Sequence, residues 1–214
     1  MMTEVTLSIL GAGVFVVALA ATNGVAEPVS QSIVLLQKGN TAERREAVQT
    51  LARLGDQRAA PHLAAALRDD DALVRQLSEH ALWTLWHQSG DPEVDAQFQT
   101  GLNAMQRGAF SEAVEIFSDV IERAPTFAEG YNKRATVYYL MREFEKSIAD
   151  CDKTIELNPI HFGALSGAGL CYLGLRDLHN AKSYFERAVE VNPNLPQIQK
   201  YIEEIKQFFR DQSL

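Results

Sequence analysis

Pro125, Pro159 and Pro193 stand 34 residues apart, and nearly every neighbouring position keeps the same step. Upstream of each proline the chain repeats a small residue (Gly101, Ala135, Gly169), then a second small one (Ala113, Ser147, Ala181). A bulky or soft apolar residue follows (Phe117, Cys151, Phe185). A unit of this length cannot bury its own apolar face, so successive units must stack and share a core. This limits the chain to an all-α fold of stacked helical hairpins, an α-solenoid expected to be right-handed.

Within the units, first helices are expected near 92–107, 127–141 and 161–174, and second helices near 111–123, 145–157 and 179–191. Asn158-Pro159 and Asn192-Pro193 separate units, because the residue before proline is pushed out of the helical region. The small residues let paired helices approach closely, with Phe110, Phe117, Phe144 and Phe185 filling the adjoining spaces. A last helix from about Pro196 to Phe209 carries Ile198, Tyr201, Ile202, Ile205 and Phe208 on one face. It reads as a cap for the terminal unit, with Phe209 off the stripe.

A second repetition precedes this one. Leu36, Arg44, Leu51 and Leu54 recur as Leu67, Arg75, Leu82 and Leu85, a step of 31. At the junction, Ser89-Gly90 ends a helix and Asp91-Pro92-Glu93 begins another, with Asp as N-cap and Pro at the first helical position. With no flexible linker, the two arrays are expected to run on as one continuous stack.

Residues 94–193 resemble tetratricopeptide repeat proteins over three units (94–127, 128–161 and 162–195 by period), best in YNKRATVYYLMREFEKSIADCDKTIELNP. Residues 29–90 resemble HEAT-like repeats, with the Val74–Arg75 pair in the second unit and Glu43–Arg44 in the first. The first tetratricopeptide unit departs by having Gln97 and Ala104 where the family prefers large aromatics. Trp83 and Trp86 are expected to cover that gap, or else to form part of a binding surface.

The resemblance implies a concave groove lined by first helices. Carried over by position, it presents Phe98, Leu102 and Met105, then Asn132, Lys133, Thr136 and Tyr139, then Ser166, Leu170 and Leu173. The family's acidic chaperone-tail ligands are gripped by Lys, Asn and Arg at positions that here hold Phe98, Leu102, Asn132 and Gly167. Such a clamp is therefore not expected, and the groove suits a hydrophobic peptide or helix. Gly163 and Gly167 stand inside a helix without an evident packing reason, which fits either close approach of a ligand backbone or mere tolerance.

The net charge of −8 contains no basic block, which argues against nucleic-acid partners. Residues Leu7 to Ala21 form an uncharged run of fifteen, followed by small residues up to Ala26. This reads as a secretory signal peptide over 1–26, although MMTEVT holds Glu4 and no basic residue. A retained membrane tether through residues 5–26 is the alternative. Cys151 and Cys171 fall on facing helices and are read as two buried small hydrophobes or as one disulfide.

No catalytic constellation emerges. His80 and His87 share a helix face but lie roughly 10 Å apart along its axis, too far to hold one metal. His161 and His179 begin helices and are expected in solvent. Asp69-Asp70-Asp71 reads as a turn between helices, since calcium-loop spacing is absent. The expectation is a non-enzymatic scaffold of the cell envelope, periplasmic or anchored, with a protein partner, no cofactor and no small-molecule substrate. Two alternatives stand beside it: a tethered assembly factor using the HEAT-like face, and a ligand carrier resembling HEAT-like proteins that act on bilin chromophores.

Overall fold

The computed structural model describes residues 23–212, which form eleven α-helices and no strand. The run Leu7–Ala21 lies outside them, while residues 23–26, the end of the segment read as leader or anchor, form the start of the first helix. Among the described residues no helix is long and apolar enough to cross a membrane.

The HEAT-like part comprises α1 (Asn23–Lys38), α2 (Thr41–Leu54), a 3-10 turn Gln57–Ala59 leading into the short α3 (Ala60–Ala66), and α4 (Ala72–Trp86). Three hairpins follow: α5 (Pro92–Gln106) with α6 (Phe110–Arg123), α7 (Ala128–Leu140) with α8 (Phe144–Leu157), and α9 (Phe162–Gly174) with α10 (Leu178–Val191). Helix α11 (Pro196–Gln212) closes the row. First helices α5, α7 and α9 neighbour one another in an inner layer, and each packs against its own second helix.

Local chemistry sets these boundaries. Asn40 caps α2 in a reciprocal box with Glu43, and Asp91 caps α5 by accepting the Glu93 amide, with Pro92 at the first position. Gly108, Arg142 and Arg176, again 34 apart, take the left-handed conformation at the turn inside each unit (φ 74°, 63° and 62°). The close approaches are real. A Cβ on Gly101 would stand 2.6 Å from Phe117, and one on Gly169 would stand 2.4 Å from Phe185. Arg134 ties units together, forking onto Asp150 at 2.7 and 2.8 Å while reaching Ser118 at 2.9 Å.

The acidic turn belongs to the HEAT-like core. Arg44 pairs with Asp69 and Asp70, and Arg45 pairs with Asp71, which caps α4 by accepting the Val74 amide. These bonds, led by that from Arg45, hold the Asp71 carboxyl down at about 2.

At the far end, α11 docks through Ile198, Ile202 and Ile205, and the stripe continues to Phe209 rather than Phe208. Phe208 is 46% exposed, whereas the Phe209 ring lies 4.5 Å from that of His179. A four-residue step from Ile205 preserves the buried edge, and a three-residue step rotates off it.

The all-helical solenoid is as expected, but the HEAT-like helices do not simply lengthen the row. Their core, built on Leu51, Leu63, Leu67, Leu82 and Leu85, includes Phe162 and packs against Ile160, Val191 and Leu195 from the third unit and its flanking turns. Helix α4 is stacked on α2 and α3 and folds back across the second and third units, with His87 at its end meeting Phe98 of α5 at a ring-centre distance of 5.7 Å.

Candidate functional site

The fold-back centres on Glu129, near the start of α7, which is 1% exposed. Its carboxylate accepts from Asn132 at 3.1 Å, from Lys133 Nζ at 2.9 Å and from His161 Nε2 at 2.8 Å, with His87 Nε2 at 3.3 Å. His161 Nδ1 accepts the Ala164 amide at 3.0 Å, which leaves Nε2 as the ring's donor to Glu129. Burial alone would push this carboxyl up. The His161 and His87 hydrogen bonds, with the positive charge of Lys133, more than offset that and hold it far below the usual carboxylate range.

Two tryptophans from α4 cover this cluster. Trp86 stacks on His161 with ring centres 4.4 Å apart, and Trp83 meets His161 and Phe162 edge-on at 5.4 and 5.3 Å. The Lys133 ammonium lies 5.4 Å from the Trp83 ring centre, a cation–π contact. Gly163 receives the indole. A Cβ there would come within 2.5 Å of Trp83 Cη2. Polar contacts extend the seam: Arg68 donates to the carbonyls of Glu190 and Val191, Asn194 donates to the Leu67 carbonyl, and Arg75 donates to Asn194.

The expected groove residues divide accordingly. Phe98 does not face a groove. It is fully buried, with Phe117 and Phe127 ring centres at 5.7 and 5.2 Å, because the first unit uses it as its aromatic core. Asn132 is buried and Lys133 largely so, both committed to Glu129. Leu102 and Met105 are half-buried against the first unit's core. Thr136, Tyr139, Ser166, Leu170 and Leu173 are half-buried along α7 and α9, with Leu140 47% exposed beside them.

Other expectations change as well. Trp83 and Trp86 cover the third unit's entrance, not the gap left by Gln97 and Ala104 in the first unit, so neither is free as a separate binding surface. His161 is buried, not solvated, because a caged carboxylate needs its proton. Cys151 and Cys171 are buried free thiols, and burial raises both in pKa. Glu129 itself went unnoticed in the sequence. The visible signal was Gly163, a helical glycine with no turn to make.

Comparison with known families settles the repeat types. Residues 95–126, 128–161 and 163–195 match models described as tetratricopeptide repeat, and residues 14–83 match one described as HEAT repeats. The chain is built of HEAT and tetratricopeptide repeats. It is 32% identical over 82 residues to a TPR repeat-containing protein of Rhizobium etli, covering 38% of this chain and 40% of that one. It is also 32% identical over 94 residues to the Hsp70-Hsp90 organizing protein of Triticum aestivum, covering 44% of this chain and 16% of that one. The chain thus spans less than half the length of these curated relatives.

Among solved structures, the Sgt2 TPR domain from Aspergillus fumigatus superposes with a TM-score of 0.54 at 24% identity, covering 57% of this chain and 83% of that one. The first TPR of Spaghetti (RPAP3), bound to an HSP90 peptide, gives 0.53 at 23% identity over 55% of this chain and 93% of that one. These likenesses establish the tetratricopeptide fold of the rear half.

Proposed function

We propose that the protein is a non-enzymatic binding scaffold of the cell envelope that holds a peptide or helix of a partner protein on the inner layer of its tetratricopeptide units. The observation that carries this reading is the strip of part-exposed side chains on α7 and α9: Thr136, Tyr139, Leu140, Leu170 and Leu173. It lies on the helices whose family counterparts line the groove, and it stays part-exposed although Leu170 and Leu173 also pack against the core under α10 and α11.

The RPAP3 domain named above was solved with an HSP90 peptide, so a domain of this fold takes a peptide as its ligand. In this chain the clamp positions hold Phe98, Leu102, Asn132 and Gly167, and Asn132, like the neighbouring Lys133, is already committed to Glu129. A neutral, apolar segment is therefore the partner of choice. The envelope assignment is supported by the uncharged run Leu7–Ala21.

The test is recovery of partners on immobilised full chain, comparing wild type with Tyr139→Ala and Leu170→Asp. Recovery of the same partner should fall at least ~10-fold in the Asp variant, since a charge would be buried in an apolar contact. Undiminished recovery by both variants contradicts the groove. Sequencing the N-terminus of the protein from cells tests the location, with a start near Ala21 or Glu27 expected after export.

A further inference from the structure

We propose that α4 is a displaceable internal occupant of the inner layer, a helix bearing Trp-x-x-Trp that a partner must lift off to gain the whole groove. This rests on the groove-binding reading and adds its regulation. Trp83 sits over Gly163 and beneath Lys133, which itself joins Asn132 on Glu129. Asn132 and Lys133 stand at groove positions of α7, and Gly163 lies one turn before the first groove residue of α9, Ser166, so α4 already occupies the entrance end of the groove.

The occupant folds without the groove. Helix α4 buries Val74, Ser78, Ala81, Leu82 and Leu85 on the HEAT-like side, Trp86 is buried between that core and His161, and Trp83 and His87 remain on its part-exposed side. The hairpins behind it keep separate cores, one around Phe98 and Phe117 and another around Phe185 and Ile202. Opening the seam therefore removes Phe162, Ile160, Val191 and Leu195 from a shared core but unfolds neither side.

The seam is also imperfectly closed. A cleft of about 570 Å³ runs along it, between Gln57, Pro61 and Trp86 on one wall and Thr126, Phe127 and Ile160 on the other. Its polar ties come from side chains that keep access to water: Arg68, Arg75, Asn194, Lys133 and His87. The turn that carries the motion is in place. Gly90 has a φ of 87° with open space at its missing Cβ, and the ties from this turn to α5 are few, the Ser89 bonds to Asp95 and the His87 ring against Phe98. Interfaces of this kind within one chain permit relative motion.

The probe is a labelled peptide of residues 72–88, offered to the full chain in wild-type form and with Trp83→Ala. In wild type the tethered helix competes at an effective concentration near ~1 mM and keeps the peptide out. Truncating its anchor should tighten peptide binding at least ~10-fold, and the same peptide with both tryptophans changed to alanine should not bind. Equal affinity for the two chains, or no binding to a Trp83→Ala chain of native ellipticity, overturns the proposal.

A second variant, Gly163→Leu, wedges the seam without cutting either tryptophan. Trp83 and Trp86 are the chain's two tryptophans, so their emission should shift to the red and become more quenchable by acrylamide while helix content is kept. Unmoved emission, or a shift that comes only with loss of helix, also overturns it. Because the peptide is the chain's own sequence, failure here removes the gate alone. Failure of the scaffold reading would appear instead as partner recovery indifferent to Tyr139 and Leu170.

Discussion

At the scale of single residues, the decisive one is Glu129. A carboxylate this deep persists only because Lys133, Asn132, His161 and His87 converge on it. Glu129→Ala leaves the two histidines and the lysine facing a void, and should cost about 3–5 kcal/mol in urea unfolding at pH 7. Glu129→Gln keeps the shape and an acceptor oxygen and should cost less. Since the folded carboxyl titrates below its unfolded value near 4.5, the unfolded chain takes up the proton first as pH falls. The stability contributed by Glu129 is therefore complete above that value and is lost progressively below it. The gap between wild type and the glutamine variant should narrow as pH drops from 5 toward 3. A gap that holds or widens would mean the carboxylate is not held by these partners.

Single residues were also where the sequence was least legible. The two histidine partners of Glu129 lie 42 residues upstream and 32 downstream, and no local pattern announces a contact at that separation. His161 looked solvated because it opens a helix after Asn-Pro-Ile. It is the approach of Trp83 and Trp86 from another part of the chain that covers it.

At the scale of elements, the glycines of α9 test packing against propensity. Gly167 has only the Cys151 sulfur near its missing Cβ, at 3.4 Å, which is ordinary contact, whereas Gly169 would drive a Cβ to 2.4 Å from Phe185. Gly167→Ala should therefore stabilise by roughly 0.5–1 kcal/mol, the helix-propensity gain. Gly169→Ala should destabilise, because Phe185 has no room to yield in a closed core. Thermal melts of the two variants decide it, and equal shifts of the same sign would contradict the packing described. Helices α5 to α11 were readable in advance because proline, capping Asp and small residues recur in register. Phe208 and Phe209 were exchanged because a three-residue and a four-residue step both satisfy helical periodicity, and only the docked angle of α11 chooses between them.

At the scale of the whole molecule, the repeat periods identified both arrays but not how one meets the other. Repetition specifies nearest-neighbour stacking. The contact of Trp83 with Gly163, 80 positions apart, is a singular event that no period encodes. The expected groove lost Phe98 to the first unit's core and yielded Asn132 and Lys133 to the fold-back, which leaves the strip around Tyr139 and Leu170 as the surface for a partner. The central claim is that α4 seats its indole on α9, and a nuclear Overhauser measurement on the full chain tests it most directly. The Trp83 ring protons should show cross-peaks to the Gly163 α-protons, with those α-protons moved upfield by the ring. Sharp Trp83 signals at solvent-like shifts, with cross-peaks confined to residues of α2 to α4, would show that the HEAT-like helices do not rest on the inner layer.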